Sequence, residues 1–511
     1  MGSELKKGVI LNYVNLALSS LIPFFYTPIM LDLLGQEEYA LYKLSGSITG
    51  YLSLISLGLG SAITRYLIKA RTEDGVEEER KVLGLFVMIF RAIAIVTLVA
   101  GVVLSFGVGH WYDHSLAPDQ LRTVEILIFI LACNTSINFL ASPYISVVNA
   151  YEKFVFLQTM SIFATCAGPI LNLIALYMGF ASIGLAISSL IATIIFRIIY
   201  YLYVRRSMCI RPIFAKAPTA LVKDILTFSF WVFVSNIVSH LYVTTDTVLM
   251  GAIPDLAIVG IAVYSVGEIM SSMVFSINGG ISALLIPKAN KMVFEGANNA
   301  EITDTAIRMG RIQCLIISLV IFGFIAFGQP FIHFYVGDDY KDAYWVAVVI
   351  MLPNMIPLVQ SFCLNVLMAR NKNKFRALVY LGIAILNVIG TWYLLHIWGI
   401  IGAALMTGLS LVIGNGFIMN WYYHHKMGLD MLRFWRKVGQ VVVLPLIMST
   451  FVILLYRIID FYNIWILIIG IVFYTIIYLS LNWKFVLNNY ERALIQEPIS
   501  MFFKKITNKI K

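Results

Sequence analysis

Charged residues are scarce in this chain. Asp, Glu, Lys and Arg together make up 13% of its 511 residues, whereas soluble globular domains carry about 25%. Apolar residues make up 60%, and the mean hydropathy is +0.86. A chain with so few charges cannot cover its apolar surface in water, so the composition excludes a soluble protein and indicates an integral membrane protein.

Clustered cysteines are also missing. The five cysteines, at positions 133, 166, 209, 314 and 363, lie far apart, and their spacing resembles neither a metal site nor a disulfide framework. No outer loop is long, and no inner loop carries a paired-carboxylate or phosphate-binding motif. We therefore expect no enzyme, no catalytic residue, no metal site and no bound cofactor.

Long apolar segments are what the chain has in abundance. About 20 such residues cross the hydrocarbon core of a bilayer, and fourteen segments reach that length, which predicts an all-α integral membrane protein with about 14 transmembrane helices. They lie at about residues 8–31, 40–68, 82–107, 123–149, 155–179, 182–204, 225–252, 256–287, 307–332, 344–368, 376–398, 400–424, 438–459 and 464–486.

Basic residues are unequally distributed between the loops. Alternate loops, counted from the N-terminus and including the tail from Lys484, hold 30 of the 37 Lys and Arg residues, and the opposite loops hold only Arg122 and Lys341. Because basic residues collect on the cytoplasmic side, both termini are predicted to be cytoplasmic. The same asymmetry accounts for the net charge of +10, so nucleic acid is not expected as a partner. Residues 35–38 are predicted to form an outer turn between the first two segments.

The chain contains two weakly similar halves. A shift of 222 residues places residues 40–63 on 262–285, and segments 5 and 6 similarly echo segments 11 and 12. A six-helix unit used twice predicts a parallel repeat about an axis along the membrane normal. The predicted divisions are an N-terminal lobe at 1–210, a C-terminal lobe at 211–424, and two added helices with a basic cytoplasmic tail at 425–511.

Several stretches of the chain resemble the polysaccharide transporter family of the MOP flippase superfamily, which includes the Wzx-type O-antigen flippases. They are "NYVNLALSSLIPFFYTPIMLDLLGQEEYALYKL", "LISLGLGSAITRYL", "YVTTDTVLMG" followed by "VGIAVYSV", and "GIIGAA". The resemblance implies two pseudo-symmetric six-helix bundles around a central cavity that opens alternately to each side.

The same resemblance implies a function and partners. A family member would move a polyprenyl-diphosphate-linked oligosaccharide from the cytoplasmic to the outer leaflet of the inner membrane for surface polysaccharide biosynthesis. The expected partners are that lipid-linked oligosaccharide, membrane lipid, and polymerase and glycosyltransferases of the same pathway. The resemblance also implies coupling to H+ or Na+ in at least some members.

Basic residues within or at the edges of the segments are the predicted substrate ligands. A charge at the centre of a membrane helix costs about 2.5–3.5 kcal/mol, and guanidinium groups bind phosphate oxygens in pairs. Arg91 lies about 14 Å along its segment, near the midplane, whereas Lys43 is placed at the outer rim of the cavity. The candidates are Lys43, Arg65, Arg91, Arg197, Arg308 and Arg311.

Acidic and amide residues form a second set of candidates. Asp246 and Glu268 are candidates for cation coupling, because a carboxylate in a dry site is suited to proton exchange; a structural ion pair is the alternative. For the arginines near segment ends, the alternative is a side chain that extends to the interface. Polar residues that could line the cavity or join helices are Asn12, Asn15, Asn236, Asn278 and Gln360.

Two other functions compete with the flippase prediction. A cation-coupled multidrug exporter of the same superfamily would be favoured by an acidic cavity, whereas the residues within the segments are more often basic than acidic. A membrane polysaccharide polymerase or glycosyltransferase would need a substantial catalytic loop, and no outer loop much exceeds about fifteen residues.

Overall fold

The computed structural model describes residues 2–215, 218–493 and 496. This part of the chain consists of helices and short turns and contains no strand, which confirms the predicted all-α fold. The predicted basic tail lies outside the described residues from position 497 onward.

Sixteen α-helices follow one another in the described chain. They are α1 Gly2–Gly50, α2 Leu59–Glu73, α3 Val76–Tyr112, α4 Pro118–Ala150, α5 Phe154–Tyr177, α6 Ala181–Leu202, α7 Thr219–Val243, α8 Thr245–Gly251, α9 Val259–Phe294, α10 Asn299–Val336, α11 Ala343–Val359, α12 Ser361–Ala369, α13 Asn373–Leu411, α14 Asn420–His425, α15 Met431–Leu455 and α16 Ile464–Leu481. A 3-10 segment, Tyr51–Ser56, stands between α1 and α2.

Eleven helices of the described chain are long and apolar enough to cross a membrane, or twelve if the bent pair α11 and α12 forms one crossing. Two of the eleven, Ile10–Ser56 and Asn373–His425, have 47 and 53 residues. At 1.5 Å per residue they would measure about 70–80 Å, more than twice the hydrocarbon core. Each contains a non-helical glycine, Gly35 or Gly399. Dividing both there, with the bent pair as one crossing, gives the predicted fourteen.

The predicted outer turn between the first two crossings is shorter than expected. Only Gly35 leaves the helix, with φ 74° and ψ 172°, a conformation that glycine adopts readily because it has no Cβ. The acidic residues after it are helical and contact neighbouring helices: Glu37 accepts a hydrogen bond from Gln120 at 2.6 Å, and Glu38 accepts one from the backbone of Ser182 at 3.1 Å. The prediction of a four-residue loop was therefore wrong.

Contacts group the chain into two compact units. Unit 1 extends to Ser265 and includes Tyr380–Met406, and unit 2 comprises Val266–Val379 and continues from Thr407. The division of the sequence at residues 210 and 424 is not tested by this grouping and stays a prediction.

Helix α3 shows how unit 1 is built. From Ala92 to Val108 it carries no charged side chain, as expected for a helix that crosses a membrane. Residues spaced by about four are buried on one face and pack against α2 and α4: Val82, Phe86, Phe90 and Ala94. Another set with similar spacing is exposed: Ile95, Val99, Val103 and Phe106. The helix thus has one face suited to protein and another suited to lipid.

Helix α10 lies in unit 2, where it packs against α11, α15 and α16. Its first turn is closed by Asn298, whose side chain accepts from the backbone of Glu301 while the Glu301 carboxylate accepts from the Asn298 backbone. At its other end, the ring centroid of Phe327 lies 5.4 Å from that of Phe461 and 5.8 Å from that of Tyr474.

The backbone shows both agreement and difference between the repeated segments. Gly179, between α5 and α6, and Gly399, within α13, both have positive φ, at 81° and 56°, so the second echo recurs as a glycine turn. The first echo differs. Residues after the 3-10 segment, Leu57 and Gly58, have φ of 49° and 71°, whereas the matched region of α9 remains helical throughout Val259–Phe294.

Candidate functional site

Arg65 on α2 and Arg91 on α3 each place the guanidinium group over an aromatic ring. The Cζ atom of Arg65 is 4.8 Å from the ring centroid of Phe228, and that of Arg91 is 5.5 Å from the ring centroid of Phe214. Both arginines are exposed, and neither forms an ion pair with any described residue. A ring contributes about 0.5–1 kcal/mol at an exposed site, so both charges remain available to an anion.

Phe214 reaches Arg91 because the segment after α6 runs along α3. The backbone N–H of Ile213 donates to the carbonyl of Arg80 at 2.9 Å. One turn further along α3, a Cβ built on Gly84 would collide with the Ile213 carbonyl oxygen. Glycine at position 84 therefore allows this linker to lie directly against α3.

Arg197 on α6 is half-buried and has a polar partner. Its Nε donates to Oδ1 of Asn138 on α4 at 2.8 Å. Asn138 in turn donates to Asn134, one turn earlier, at 3.0 Å to the carbonyl oxygen. The amide chain orients this guanidinium without neutralising its charge.

Three other predicted residues lie on α1. Lys43 is half-buried, with Nζ 5.4 Å from the ring centroid of Tyr39. Asn15 joins α1 to α5, because it donates to Ser161 at 2.9 Å and accepts from Thr165 at 3.3 Å. Asn12, one turn earlier, is exposed. Among these, Asn15 has the contacts of a residue that joins helices.

Arg311, on α10 in unit 2, has an environment unlike that of Arg91. It is 7% exposed, and its Nε lies 2.6 Å from Oε1 of Glu491. The other guanidinium nitrogens donate to the carbonyls of Lys437 at 2.9 Å and Val486 at 2.8 Å. These contacts explain the residue without a substrate phosphate. Its predicted role as a phosphate ligand stays a prediction.

Arg308, one turn before Arg311, is exposed and lies with Cζ 5.3 Å from the ring centroid of Tyr490. The two arginines therefore point to different surroundings although they are three residues apart. Their predicted common function in substrate binding stays a prediction.

Amide side chains form a buried network in unit 2. Gln313 donates to Asn278 and to Ser361, each at 2.8 Å, and all three side chains are buried. Gln360, also buried, donates to the carbonyl of Asn415 at 3.2 Å. The network joins α9, α10 and α12 by hydrogen bonds, which supports the helix-joining alternative for Asn278 and Gln360.

The two candidate coupling residues, Asp246 and Glu268, differ in how much of each is exposed. Asp246 on α8 is 1% exposed, and the hydroxyl of Tyr264 donates to its Oδ2. Glu268 on α9 and Asn236 on α7 are half-buried. The described part of the chain contains no group of three or more His, Cys, Asp or Glu side chains that could hold a metal ion.

Sequence reasoning missed a buried carboxylate at the start of α3. Glu79 is 1% exposed, lies 3.7 Å from Arg71, and accepts a hydrogen bond from the hydroxyl of Tyr151 at 2.8 Å. Burial raises the pKa of Tyr151, so the hydroxyl keeps its proton and can donate. Nothing in the run "EDGVEEER" distinguishes Glu79 from its acidic neighbours.

A second missed group lies between two helix breaks of unit 1. The hydroxyl of Ser53 lies 2.8 Å from Nε2 of His240, and the hydroxyls of Tyr51 and Thr245 lie 2.6 Å apart. The sequence analysis considered charged and amide side chains in the apolar segments but not histidine or hydroxyl groups. A histidine within a predicted crossing was the available signal.

The sequence of this chain matches a known protein family. A sequence profile of the family described as "Polysaccharide biosynthesis protein" matches residues 5–287, more than half of the chain. The chain belongs to this family. It is a member of the MOP superfamily and a multi-pass membrane protein with the fold of transporters and flippases. No curated protein sequence matches the chain.

Solved structures share the fold of this family member at low sequence identity. The lipid II flippase MurJ in an inward closed conformation has a TM-score of 0.73 and 16% identity over 96% of this chain and 99% of that one. A multidrug resistance MATE family transporter of the MOP superfamily has 0.64 and 12%, over 82% and 95%. The MATE transporter VcmN of Vibrio cholerae, as a mutant, has 0.59 and 15%, over 84% and 98%.

Proposed function

We propose that this chain translocates a polyprenyl-diphosphate-linked oligosaccharide from the cytoplasmic to the outer leaflet of the inner membrane by alternating access, as a step in surface polysaccharide biosynthesis. The observation that carries the proposal concerns Arg65 and Arg91. Arg91 lies on a helix long and apolar enough to cross a membrane, and Arg65 lies on the shorter helix α2. Each guanidinium lies over a phenylalanine ring, and within the described chain neither is neutralised by a carboxylate. Membership in the family and the likeness to a lipid II flippase support the substrate class.

A diphosphate is the anion that best suits these arginines. The guanidinium group keeps its charge at physiological pH and offers paired donors that match two phosphate oxygens. The rings of Phe214 and Phe228 lie beside the guanidinium groups of Arg91 and Arg65, and a contact with a ring face does not use up the N–H donors that a phosphate would engage. Arg197, held by Asn138, would supply a third charge in the same unit.

The remaining parts of the proposal concern coupling, orientation and partners. The coupling ion is H+ or Na+, with Asp246 and Glu268 as the candidate carboxylates. The termini are cytoplasmic, as the distribution of basic residues predicts. The lipid carrier remains in the bilayer, and the enzymes that supply and consume the oligosaccharide are glycosyltransferases and a polymerase of the same pathway.

A reconstituted assay tests this function directly. The full-length protein is placed in proteoliposomes with a fluorescent polyprenyl-diphosphate monosaccharide, and transfer between leaflets is followed by quenching of the outer leaflet. We expect transfer with the wild type and a reduction of about tenfold or more with Arg91→Ala, because a charged hydrogen bond contributes about 1.5–3 kcal/mol. Lys69→Ala removes an exposed charge whose ion pair lies on the helix surface, and it should transfer as the wild type does.

Two results would overturn the proposal. One is that the wild type transfers no probe while it exports cationic drugs, which would favour the multidrug exporter. The other is that Arg65→Ala and Arg91→Ala both transfer the probe at the wild-type rate. In cells, deletion of the gene should cause lipid-linked precursor to accumulate at the inner leaflet.

A further inference from the structure

Two crossings of unit 1 are interrupted. The second changes to a 3-10 helix at Tyr51–Ser56 and then leaves helical geometry at Leu57 and Gly58. The seventh is interrupted at Thr244, between α7 and α8. Backbone that leaves the helix at membrane depth needs other hydrogen-bond partners, so such breaks are confined to sites covered by protein or lined by water.

The two breaks are joined by polar side chains. Ser53 Oγ lies 2.8 Å from His240 Nε2, and the Tyr51 hydroxyl lies 2.6 Å from that of Thr245. The backbones also approach closely, because a Cβ built on Gly58 would lie 2.8 Å from the Phe233 backbone nitrogen. The 3-10 segment is therefore held against α7 by Ser53 and against α8 by Tyr51, and Gly58, two residues after it, lies tightly against α7.

The other ring nitrogen of His240 has no such partner. Nδ1 is buried, and no described residue is within hydrogen-bond reach of it. It faces the backbone of Gly50, where a built Cβ would lie 3.9 Å away. A serine hydroxyl can accept from an imidazole N–H, so a neutral ring with its proton on Nε2 satisfies Ser53 and leaves a lone pair at Nδ1.

A second proton is incompatible with this arrangement. It would create a charged N–H at Nδ1, and a buried charged donor without an acceptor is strongly unfavourable. The proton can be accepted only if Nδ1 reaches water, which requires the 3-10 segment and α7 to separate. A ligand that binds one of two states better shifts the equilibrium toward that state. Here the ligand is the proton, and it favours the state in which the 3-10 segment and α7 are separated.

Among the described residues of unit 1, no charged group accepts a hydrogen bond from Nδ1. The elements that pack against α7 here are α2, the 3-10 segment and α8. Their titratable groups near this face are Tyr51, whose ring centroid lies 6.0 Å from that of His240, and Asp246, which accepts from Tyr264. Arg65 of α2 lies over Phe228, twelve residues before His240.

We propose that His240 is a proton-binding site that holds the broken second and seventh crossings together when neutral and releases them when protonated. The ligand is a proton, and the site is distinct from the carboxylates Asp246 and Glu268. Because unperturbed histidine titrates between about pH 5 and 8, the switch would operate at the pH differences that membranes maintain.

A thiol at Gly50 can report on the separation. The described atoms nearest to a Cβ there belong to Thr244 and His240, at 3.7–3.9 Å, so Gly50→Cys fits. The five native cysteines are replaced by alanine. The rate of modification by a charged thiol reagent is measured in nanodiscs at several pH values. Each rate is divided by the rate for the same thiol in unfolded protein, which removes the pH dependence of the thiol.

We expect modification to become about tenfold faster between pH 8 and pH 5.5, a coupling of ordinary size. His240→Gln retains a group that can bond Ser53 but cannot take up a proton, so its rate should stay flat. His110→Gln, at the end of α3 and exposed, should behave as the wild type. Equal pH dependence in the His240→Gln and parent proteins, or none in the parent, would overturn the proposal.

A measurement on the native cysteine background guards against misfolding of the cysteine variant. The uniformly 15N-labelled protein is titrated by NMR, and the imidazole signal of His240 is identified by its loss in His240→Gln. We expect that signal to titrate together with the backbone resonances of residues 50–58. A His240 signal that never titrates between about pH 5 and 8, or one that titrates without change at 50–58, would contradict the switch.

The connection to transport rests on the proposed function and is tested separately. In the proteoliposome assay, His240→Gln should transfer the fluorescent probe equally with and without a proton gradient, whereas the wild type responds to the gradient. Unchanged gradient dependence in His240→Gln would overturn the coupling. If the wild type transfers no probe, the proposed function fails, and the thiol and NMR results still decide whether His240 is the proton switch.

Discussion

Arg91 in unit 1 and Arg311 in unit 2 are the same residue type on long apolar helices, yet they have opposite surroundings. Arg311 is buried and donates to a carboxylate and to two backbone carbonyls. Arg91 is exposed, its Cζ lies over one phenylalanine ring, and no described carboxylate pairs with it.

The difference shows how a charge in a membrane helix acquires a role. A buried guanidinium whose donors are all engaged by the protein stabilises the fold, and removing one partner leaves an uncompensated charge. A guanidinium that meets only a ring contributes little to stability and keeps its donors for a ligand. Arg197, with its single amide partner, lies between these limits.

The largest effect on stability is expected from Glu491→Ala. Breaking a buried ion pair costs about 3–5 kcal/mol, so the melting temperature in detergent should fall well below that of Lys291→Ala, which breaks an exposed pair. Arg311→Met combined with Glu491→Met should recover part of the loss. It cannot recover all of it, because the carbonyls of Lys437 and Val486 lose their donor. A Glu491→Ala protein as stable as the control would remove the contrast with Arg91.

The next largest effect is expected from Arg197→Ala. A hydrogen bond to a charged group contributes about 1.5–3 kcal/mol, and the change removes the donor from Asn138. Arg197→Lys keeps the positive charge but should recover only part of the lost stability, because the lysine amine lacks the planar donor pair of a guanidinium group. Thermal unfolding of both variants measures the difference. Equal melting temperatures for Arg197→Ala and wild type would mean that Arg197, like Arg91, contributes little to stability.

Gly84→Ala tests whether the linker positions Phe214 over Arg91. Overpacking costs about 1–3 kcal/mol, since the new Cβ would collide with the Ile213 carbonyl. Hydrogen exchange in residues 208–215 should accelerate as the linker leaves α3. Gly107→Ala, on the same helix with no described atom within 4 Å of the new Cβ, is the matched control. Identical exchange in the two variants would show that the linker does not depend on Gly84.

The smallest effect on stability is expected from Arg65→Ala and Arg91→Ala. Each loses one ring contact, which is worth about 0.5–1 kcal/mol at an exposed site. Their melting temperatures should therefore stay near that of the wild type although the proposed translocation is lost. A melting temperature as low as that of Glu491→Ala would mean that these arginines are structural, and the contrast would disappear.

Much of the fold was predictable, because bilayer thickness imposes a length on every crossing. All fourteen predicted segments correspond to helical stretches, and the turn predicted at residues 35–38 is confined to Gly35. The candidate site was less predictable. Sequence alone could not separate Arg308 from Arg311, since a spacing of three residues places them on similar faces while their partners, Tyr490 and Glu491, come from the far end of the chain.

The sequence by itself determined the membrane class, the approximate positions of the crossings and the family, since hydropathy, helix length and local motifs are properties of contiguous residues. Tertiary structure alone decided which polar groups meet. The hydroxyl of Ser53 reaches the imidazole of His240 across 187 positions of the chain. The hydroxyl of Tyr151, which directly follows α4, donates to the carboxylate of Glu79 at the start of α3. Hydrogen bonds and ion pairs act over a few ångströms, so their partners are set by packing and not by distance along the chain.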